Sequence, residues 1–194
     1  MASKRSETLS KEHRSLLLKL ARESIRSYLE GKPAPNPSIP ACLNVKQGAF
    51  VTLKIDGNLR GCIGHILPME SLFKSVSDNA VNAAFRDPRF PPLSKEELKQ
   101  VDIEISVLSV PKTLPFKSPE DLLRKLRPNI DGVILKKGRS VSTFLPQVWD
   151  DLPDKIGFLE HLSRKAGLPK DAWKDAEIRV YQAEHFSEID SSAQ

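Results

Sequence analysis

Residues 59–65 read LRGCIGH and place a cysteine between two glycines, with an arginine two positions before it and a histidine three after. A thiol attacks as its thiolate, and a neighbouring cation favours that form. Side chains two apart on a strand share a face, so Arg60 and Cys62 point the same way and Arg60 is the cation to pair with the thiol. Gly64 falls on that face too and leaves space above the backbone. Gly61 and Gly64 are therefore backbone candidates for a ligand site. His65 points to the opposite face and reaches the thiol only if a glycine bulge re-aims it, so it is a ligand-binding candidate and not the base of a dyad. A packing reading stands beside this one, since free cysteine is among the most buried residue types. An even-numbered hairpin loop places Cys62 with Val51 and Leu53, as a small core residue. An odd-numbered loop places it with Phe50, Thr52 and Lys54.

Three further stretches carry candidates. In RDPRF, Arg86, Asp87 and Arg89 follow a helix in a proline-restricted loop. Two guanidiniums there can hold a phosphate or carboxylate, or Asp87 can simply fix the turn and bond an arginine locally. Glu104 lies within IEISV; beside a cleft it is an acid or base, and on a solvated face it is only a charge. In TFLPQVWDD, Thr143, Gln147 and Trp149 combine polar groups with a large aromatic, which suits a recognition surface as well as ordinary packing. The four histidines are scattered and make no metal-ligand spacing, so no metal site is expected. No cofactor signature stands out.

A chain of 194 residues, 39% hydrophobic and 28% charged, has the composition of a globular protein. Two cysteines without a CxxC spacing exclude a disulfide framework or a cysteine-rich zinc site. The opening MASKRSETLSKEHR is too charged for a secretory leader, and no apolar run approaches the roughly 20 residues of a membrane span. The expectation is a cytoplasmic protein.

The elements that position these residues follow from periodicity. Ser10 caps a helix with an apolar stripe from Leu16 to Leu29, ended by Gly31. KPAPNPSIP is a stiff extended connector. GAFVTLKIDGNLRGCIGHIL is a hairpin turning at Asp56-Gly57-Asn58. Met69, Leu72, Phe73, Val76, Ala80, Ala83 and Ala84 form the next helical stripe. SKEEL is a capping box, and Val101, Ile103, Ile105 and Val107 alternate as a half-buried strand. A helix capped by Ser118, a hairpin turning at Lys137-Gly138, a helix ended by Gly167 and a closing strand AEIRVYQAEHF complete the chain. Hairpins separated by helices predict an α+β fold with antiparallel sheets. Residues 10–186 are expected to form one domain of two unequal sublobes, with 1–9 and 187–194 frayed.

From about Ser10 to Phe186 the chain resembles the AMMECR domain family, the family of the AMME syndrome candidate gene product. Its bacterial and archaeal members are called protein A of the AmmeMemoRadiSam system. The resemblance is carried by GAFVTLKIDGNLRGCIGHI, NAAFRDPRFPPLSKEEL, IEISVLSVP, DGVILKKG and TFLPQVWDDLPDKIGFLEHLSRKAGLP. The hallmark hexapeptide LRGCIG is present unchanged. The resemblance implies an α+β fold of two unequal sublobes, a family without an established biochemical activity, and, through the system name, Memo-like and radical-SAM associates.

Three function classes follow, in this order: an accessory or substrate-handling protein beside those associates; an enzyme using Cys62 with Arg60, helped by Glu104 or Asp87; and a binding module for RNA or a small anionic ligand, built on Arg60, Arg86 and Arg89. A monomer or weak homodimer is expected. The net charge is +5, with acidic residues interspersed among the basic ones and only 6% aromatic residues, so specific nucleic-acid recognition is not expected. Any RNA affinity should be weak and fall steeply with added salt in a filter-binding titration; tight, sequence-selective binding at physiological salt would contradict this.

Overall fold

The first helix begins where a side chain can satisfy its free N–H groups. Ser10 caps α1 (Lys11–Leu29), its hydroxyl accepting from the His13 N–H, and Leu17, Leu18, Leu20, Ala21 and Ile25 make the buried stripe. The structure is a computed structural model that describes residues 9–192; the stretches 1–8 and 193–194, expected to fray, lie outside the described residues. After α1 the chain runs through β1 (Gly48–Ile55), β2 (Asn58–His65), α2 (Leu72–Phe85), α3 (Lys95–Leu98), β3 (Asp102–Leu108), β4 (Lys112–Thr113), α4 (Pro119–Lys125), β5 (Gly132–Lys137), β6 (Ser140–Phe144), α5 (Val148–Asp151), α6 (Lys155–Lys165), β7 (Glu177–Tyr181), β8 (Ala183–Ser187) and α7 (Glu188–Ser192).

The fold is α+β, as the hairpin pattern predicts. Two compact units divide the described chain. Residues 109–183 form the second, and the remainder forms the first. The first contains the sheet β2-β1-β3-β8, in which β1 pairs antiparallel with both β2 and β3. One face of that sheet carries Ala49, Val51, Leu53, Ile103, Ile105 and Val107, which join the stripes of α1 and α2 in one apolar core. The second unit contains the sheet β4-β7-β5-β6 with a core of its own around Val133, Leu135, Phe158, Leu162 and Trp149. No helix among the described residues is long and apolar enough to cross a membrane.

Several elements differ from the sequence expectation. Met69 is not on the α2 stripe: residues 67–71 form a loop whose backbone bonds to residues 45–47, and Met69 is 69% exposed. The closing strand is two strands. It breaks at Gln182, whose N–H and C=O are taken by Ser109, so β7 stays in one sheet and β8 joins the other. Residues 188–192 form α7, anchored by the Glu188 carboxylate, which accepts from Arg22 and from the Ile103 N–H.

The hairpin β1–β2 governs the rest of the first unit. Asp56 and Gly57 link the strands with φ of 50° and 77°, the double left-handed turn that matches strand twist. Further along β2, Gly61 lies against α2 so closely that an added Cβ would stand 2.2 Å from the Ala83 carbonyl oxygen. That oxygen belongs to helix backbone and cannot rotate away. Gly61→Ala is therefore expected to lower the unfolding free energy by about 1–3 kcal/mol, the range for overpacking, read as a lower urea midpoint. An unchanged midpoint would remove the packing explanation for this glycine.

Candidate functional site

The face on which Cys62 lies is decided by a bulge. The loop has two residues, and Ile55 pairs with Asn58 and Lys54 with Leu59; next, however, Leu53 pairs with Gly61, so Arg60 is an extra residue in β2. Every later side chain changes face. Cys62 therefore pairs with Thr52, where an unbroken register would set it opposite Val51, and leaves the core face although the loop is even-numbered. Thr52 in turn pairs with Glu104 on β3. The thiol, the hydroxyl and the carboxylate form one cross-strand row on the face opposite the core. The Thr52 hydroxyl donates to Cys62 Sγ at 3.3 Å, and Lys54 Nζ pairs with Glu104 at 2.9 Å. Cys62 is half-buried, and the Lys54 and Glu104 side chains retain partial exposure.

The row has walls. On one side Phe50 pairs with both Gly64 and Ser106. Gly64 does not leave the open space expected of it: an added Cβ would meet the Phe50 ring at 2.3 Å, so the glycine makes room for the aromatic ring. On the other side Lys54 pairs with Asp102. Burial, opposed by a backbone bond from Ile189 and reinforced by repulsion from Glu188 and Glu104, pushes the Asp102 carboxyl above its ordinary value.

Arg60 is not the thiol's cation. Its guanidinium is bound by Glu97 through Nε at 2.8 Å and Nη2 at 3.1 Å, and Nη2 also donates to the Pro91 carbonyl. Only 8% of the residue is exposed, and Nη1 is buried without a hydrogen-bond partner among the described residues. The bulge is thus clamped to α3. The Arg60 guanidinium holds Glu97 well below the usual carboxylate range, down to about 2, assisted by the Ser94 N–H.

The cation that reaches the Cys62 backbone is Arg89. β2 is a sheet edge, so the Cys62 N–H and C=O point away from β1. Asp87 accepts the N–H at 2.9 Å, and Arg89 Nη2 reaches the carbonyl oxygen at 3.4 Å. Asp87 also accepts from the Arg89 N–H, Nε and Nη2. A carboxylate and a guanidinium here do the work of a neighbouring strand, which protects an exposed edge. Arg89 holds the Asp87 carboxyl far below its ordinary value, against the opposing effect of burial, and Asp87 raises Arg89 in return. Arg86 is directed elsewhere, to Asn82 Oδ1 at 2.9 Å. His65 pairs with Ala49, not with the thiol's row, and is exposed.

Thr143, Gln147 and Trp149 belong to the second unit and serve its interior. Trp149 is 1% exposed, stacks on Phe158 at 3.6 Å and donates to the Asp131 carbonyl. The Thr143 hydroxyl donates to the Val133 carbonyl and bonds the Tyr181 hydroxyl at 2.9 Å; burial pushes Tyr181 up to about 12. Gln147 is half-buried, with its side-chain oxygen enclosed and without a hydrogen-bond partner among the described residues. Among the described residues, no group of three or more His, Cys, Asp or Glu side chains is placed to hold a metal ion. Thr52 and Lys54, which the sequence reading set beside the thiol only for an odd-numbered loop and did not choose as site residues, share its face here through a bulge beside an even-numbered one. The signal was the alternation of β1, but using it required the bulge.

The depressed carboxyls have a pH consequence. A carboxyl whose folded pKa lies below its unfolded value contributes stability that is complete above the unfolded value and lost as pH falls through the folded one. For Glu97 that window runs from 4.5 down to about 2. Glu97→Gln should lower stability at neutral pH and flatten its loss across this window, measured by urea unfolding at a series of pH values. Parallel stability curves for wild type and variant would refute the coupling.

The family model described as AMMECR1 matches residues 18–186. A protein of Methanothermobacter thermautotrophicus is 41% identical over 185 residues, covering 93% of this chain and 96% of its own. One of Nanoarchaeum equitans is 42% identical over 177 residues, covering 89% and 98%. The crystal structure of an uncharacterised protein from Pyrococcus horikoshii matches with a TM-score of 0.81 and 38% identity, over 89% of this chain and 90% of that one. The residues around the thiol therefore lie within a match that spans nearly the whole sequence, and the chain belongs to the AMMECR1 family.

Proposed function

We propose that this protein is an accessory, substrate-handling component of a modification system, working in the cytoplasm beside Memo-like and radical-SAM proteins, and that Cys62 is where it engages its substrate. The association rests on the system name attached to the family. The site assignment rests on one observation: the thiol lies on the face opposite the core and accepts a hydrogen bond from Thr52 in a row that continues to Glu104. The Thr52 hydroxyl fixes the position of the sulfur on that face, and Asp87 and Arg89 hold the backbone of the same residue in place. A monomer or weak homodimer suits such a role.

The second reading makes the same row an active site, with Cys62 as nucleophile and Glu104 as acid or base. It is favoured by the register that puts both on one row, and weakened by the Lys54 ammonium, which already pairs with Glu104. The third, a binding module for RNA or a small anionic ligand built on Arg60, Arg86 and Arg89, has less support as an RNA binder, because Arg60 is enclosed and Arg86 is turned to its own helix, which leaves Arg89 alone for an anion.

Two measurements test the proposal. Co-purification from the native cell should recover a Memo-like or a radical-SAM protein. In a Cys42→Ser background, iodoacetamide should modify Cys62 in the folded protein, and Thr52→Val should slow the reaction roughly three- to tenfold, as expected for loss of a hydrogen bond worth about 1 kcal/mol that holds the sulfur in place. Labelling of Cys62 only under denaturing conditions would make the thiol a packing residue and end the site assignment.

A further inference from the structure

We infer that the Cys62 site takes a small anionic molecule whose carboxylate or phosphate docks on Arg89, with the adjoining carbon presented to the thiol. This inference deepens the proposed role of Cys62 and rests on it. Arg89 is suited to the task in a way that Arg60 and Arg86 are not. Its Nε and Nη2 are held by Asp87, at 2.9 and 2.7 Å, which fixes the plane of the guanidinium. Asp87 itself is buried and bonded to the Cys62 N–H, so the arginine is referenced to the cysteine backbone through a single rigid carboxylate. Half of the Arg89 side chain remains exposed, and Nη1 makes no hydrogen bond among the described residues. A guanidinium held on one edge and open on another is prepared to bind an anion, because little conformational freedom is left to lose.

The spacing selects the class of ligand. Arg89 Nη2 lies 3.4 Å from the Cys62 carbonyl oxygen. Within one residue that oxygen and Sγ are at most about 5 Å apart, so Nη2 stands within about 8 Å of the sulfur and the open Nη1 of the same planar group within about 11 Å. A carbon poised about 3–3.5 Å from a nucleophile, one bond from a carboxylate carbon whose oxygen makes an ordinary hydrogen bond of about 2.8 Å, reaches about 9 Å and falls inside that limit. A short acid functionalised near its carboxylate fits within it; an extended long acyl chain with a remote charge does not. Phe90 reinforces the placement. Its ring centroid lies 5.5 Å from the Arg89 guanidinium carbon and 5.8 Å from that of Arg60, so the arginine that binds and the arginine that clamps the bulge share one aromatic support.

The test compares iodoacetate with iodoacetamide on the folded Cys42→Ser protein. In both reactions sulfur displaces iodide: an S–C bond forms, the C–I bond breaks and the thiol proton passes to solvent. The reagents differ only in the carboxylate. The ratio of iodoacetate to iodoacetamide rates should fall about tenfold in Arg89→Gln, the scale of local enrichment by a charged site. On the unsubstituted site, acetate or inorganic phosphate should protect against iodoacetate more than sodium chloride at equal ionic strength does, and the stronger protector identifies the docked group. This arm requires no change at Arg89 and so stands if Arg89→Gln fails to fold. An unchanged ratio in a folded variant, or protection no better than that of chloride, overturns the anion site while leaving the reactive thiol standing. Failure of both reagents to label the folded protein overturns the thiol reading and this inference together.

Discussion

Arg60 occupies a place in β2 for which β1 offers no partner, and its side chain, not its backbone, stabilises that arrangement. Two bonds to Glu97 and one to the Pro91 carbonyl hold it against α3. Because side chains alternate across a strand, inserting one residue inverts the face of everything after it. Without the bulge Cys62 would pack with Val51 and Leu53 in the core. With it, the thiol joins Thr52 and Glu104. The Glu97 carboxylate that secures the bulge also closes the capping box of α3, accepting from the Ser94 N–H while Ser94 accepts from the Glu97 N–H. One carboxylate thus serves helix initiation and strand register at once, which couples a local sequence signal to the placement of the candidate site.

The second constraint is the free edge of β2. A row of unpaired peptide groups invites another strand, and residues 87–89 meet that demand at Cys62 with side chains. Burying Asp87 is tolerable only because four N–H donors converge on it, three of them from Arg89. Edge protection and site construction are the same set of bonds here. The RDPRF loop, which as sequence offered either an anion cradle or a locally bonded turn, forms the turn, and it leaves one guanidinium partly open at the Cys62 backbone.

The two glycines of the hexapeptide turn out to have steric tasks. Gly61 permits the close approach of α2, and Gly64 receives the Phe50 ring. Neither requires a left-handed backbone, in contrast to Gly57 in the turn. The second unit shows the corresponding economy of aromatic packing: Trp149 and Tyr181, each with a polar tip, bury their rings and find partners for their N–H and O–H groups.

What the sequence alone determined was what depends on neighbours along the chain. The helices capped by Ser10, Ser94 and Ser118, the stops at Gly31 and Gly167, the Asp56-Gly57 turn and the alternation of β3 were all legible, because caps, turns and periodicity act within a few residues. The α+β class followed from their order. Tertiary structure decided the face of Cys62, since the bulge depends on Glu97, 37 residues away. It decided that Arg89 and not Arg60 attends the thiol, that Thr52 and Lys54 join the row, and that Trp149 is interior. It also divided the closing strand at Gln182 between two sheets. Each of these outcomes turns on which side chain reaches a hydrogen-bond partner across the fold, and spacing along the chain carries no record of that distance.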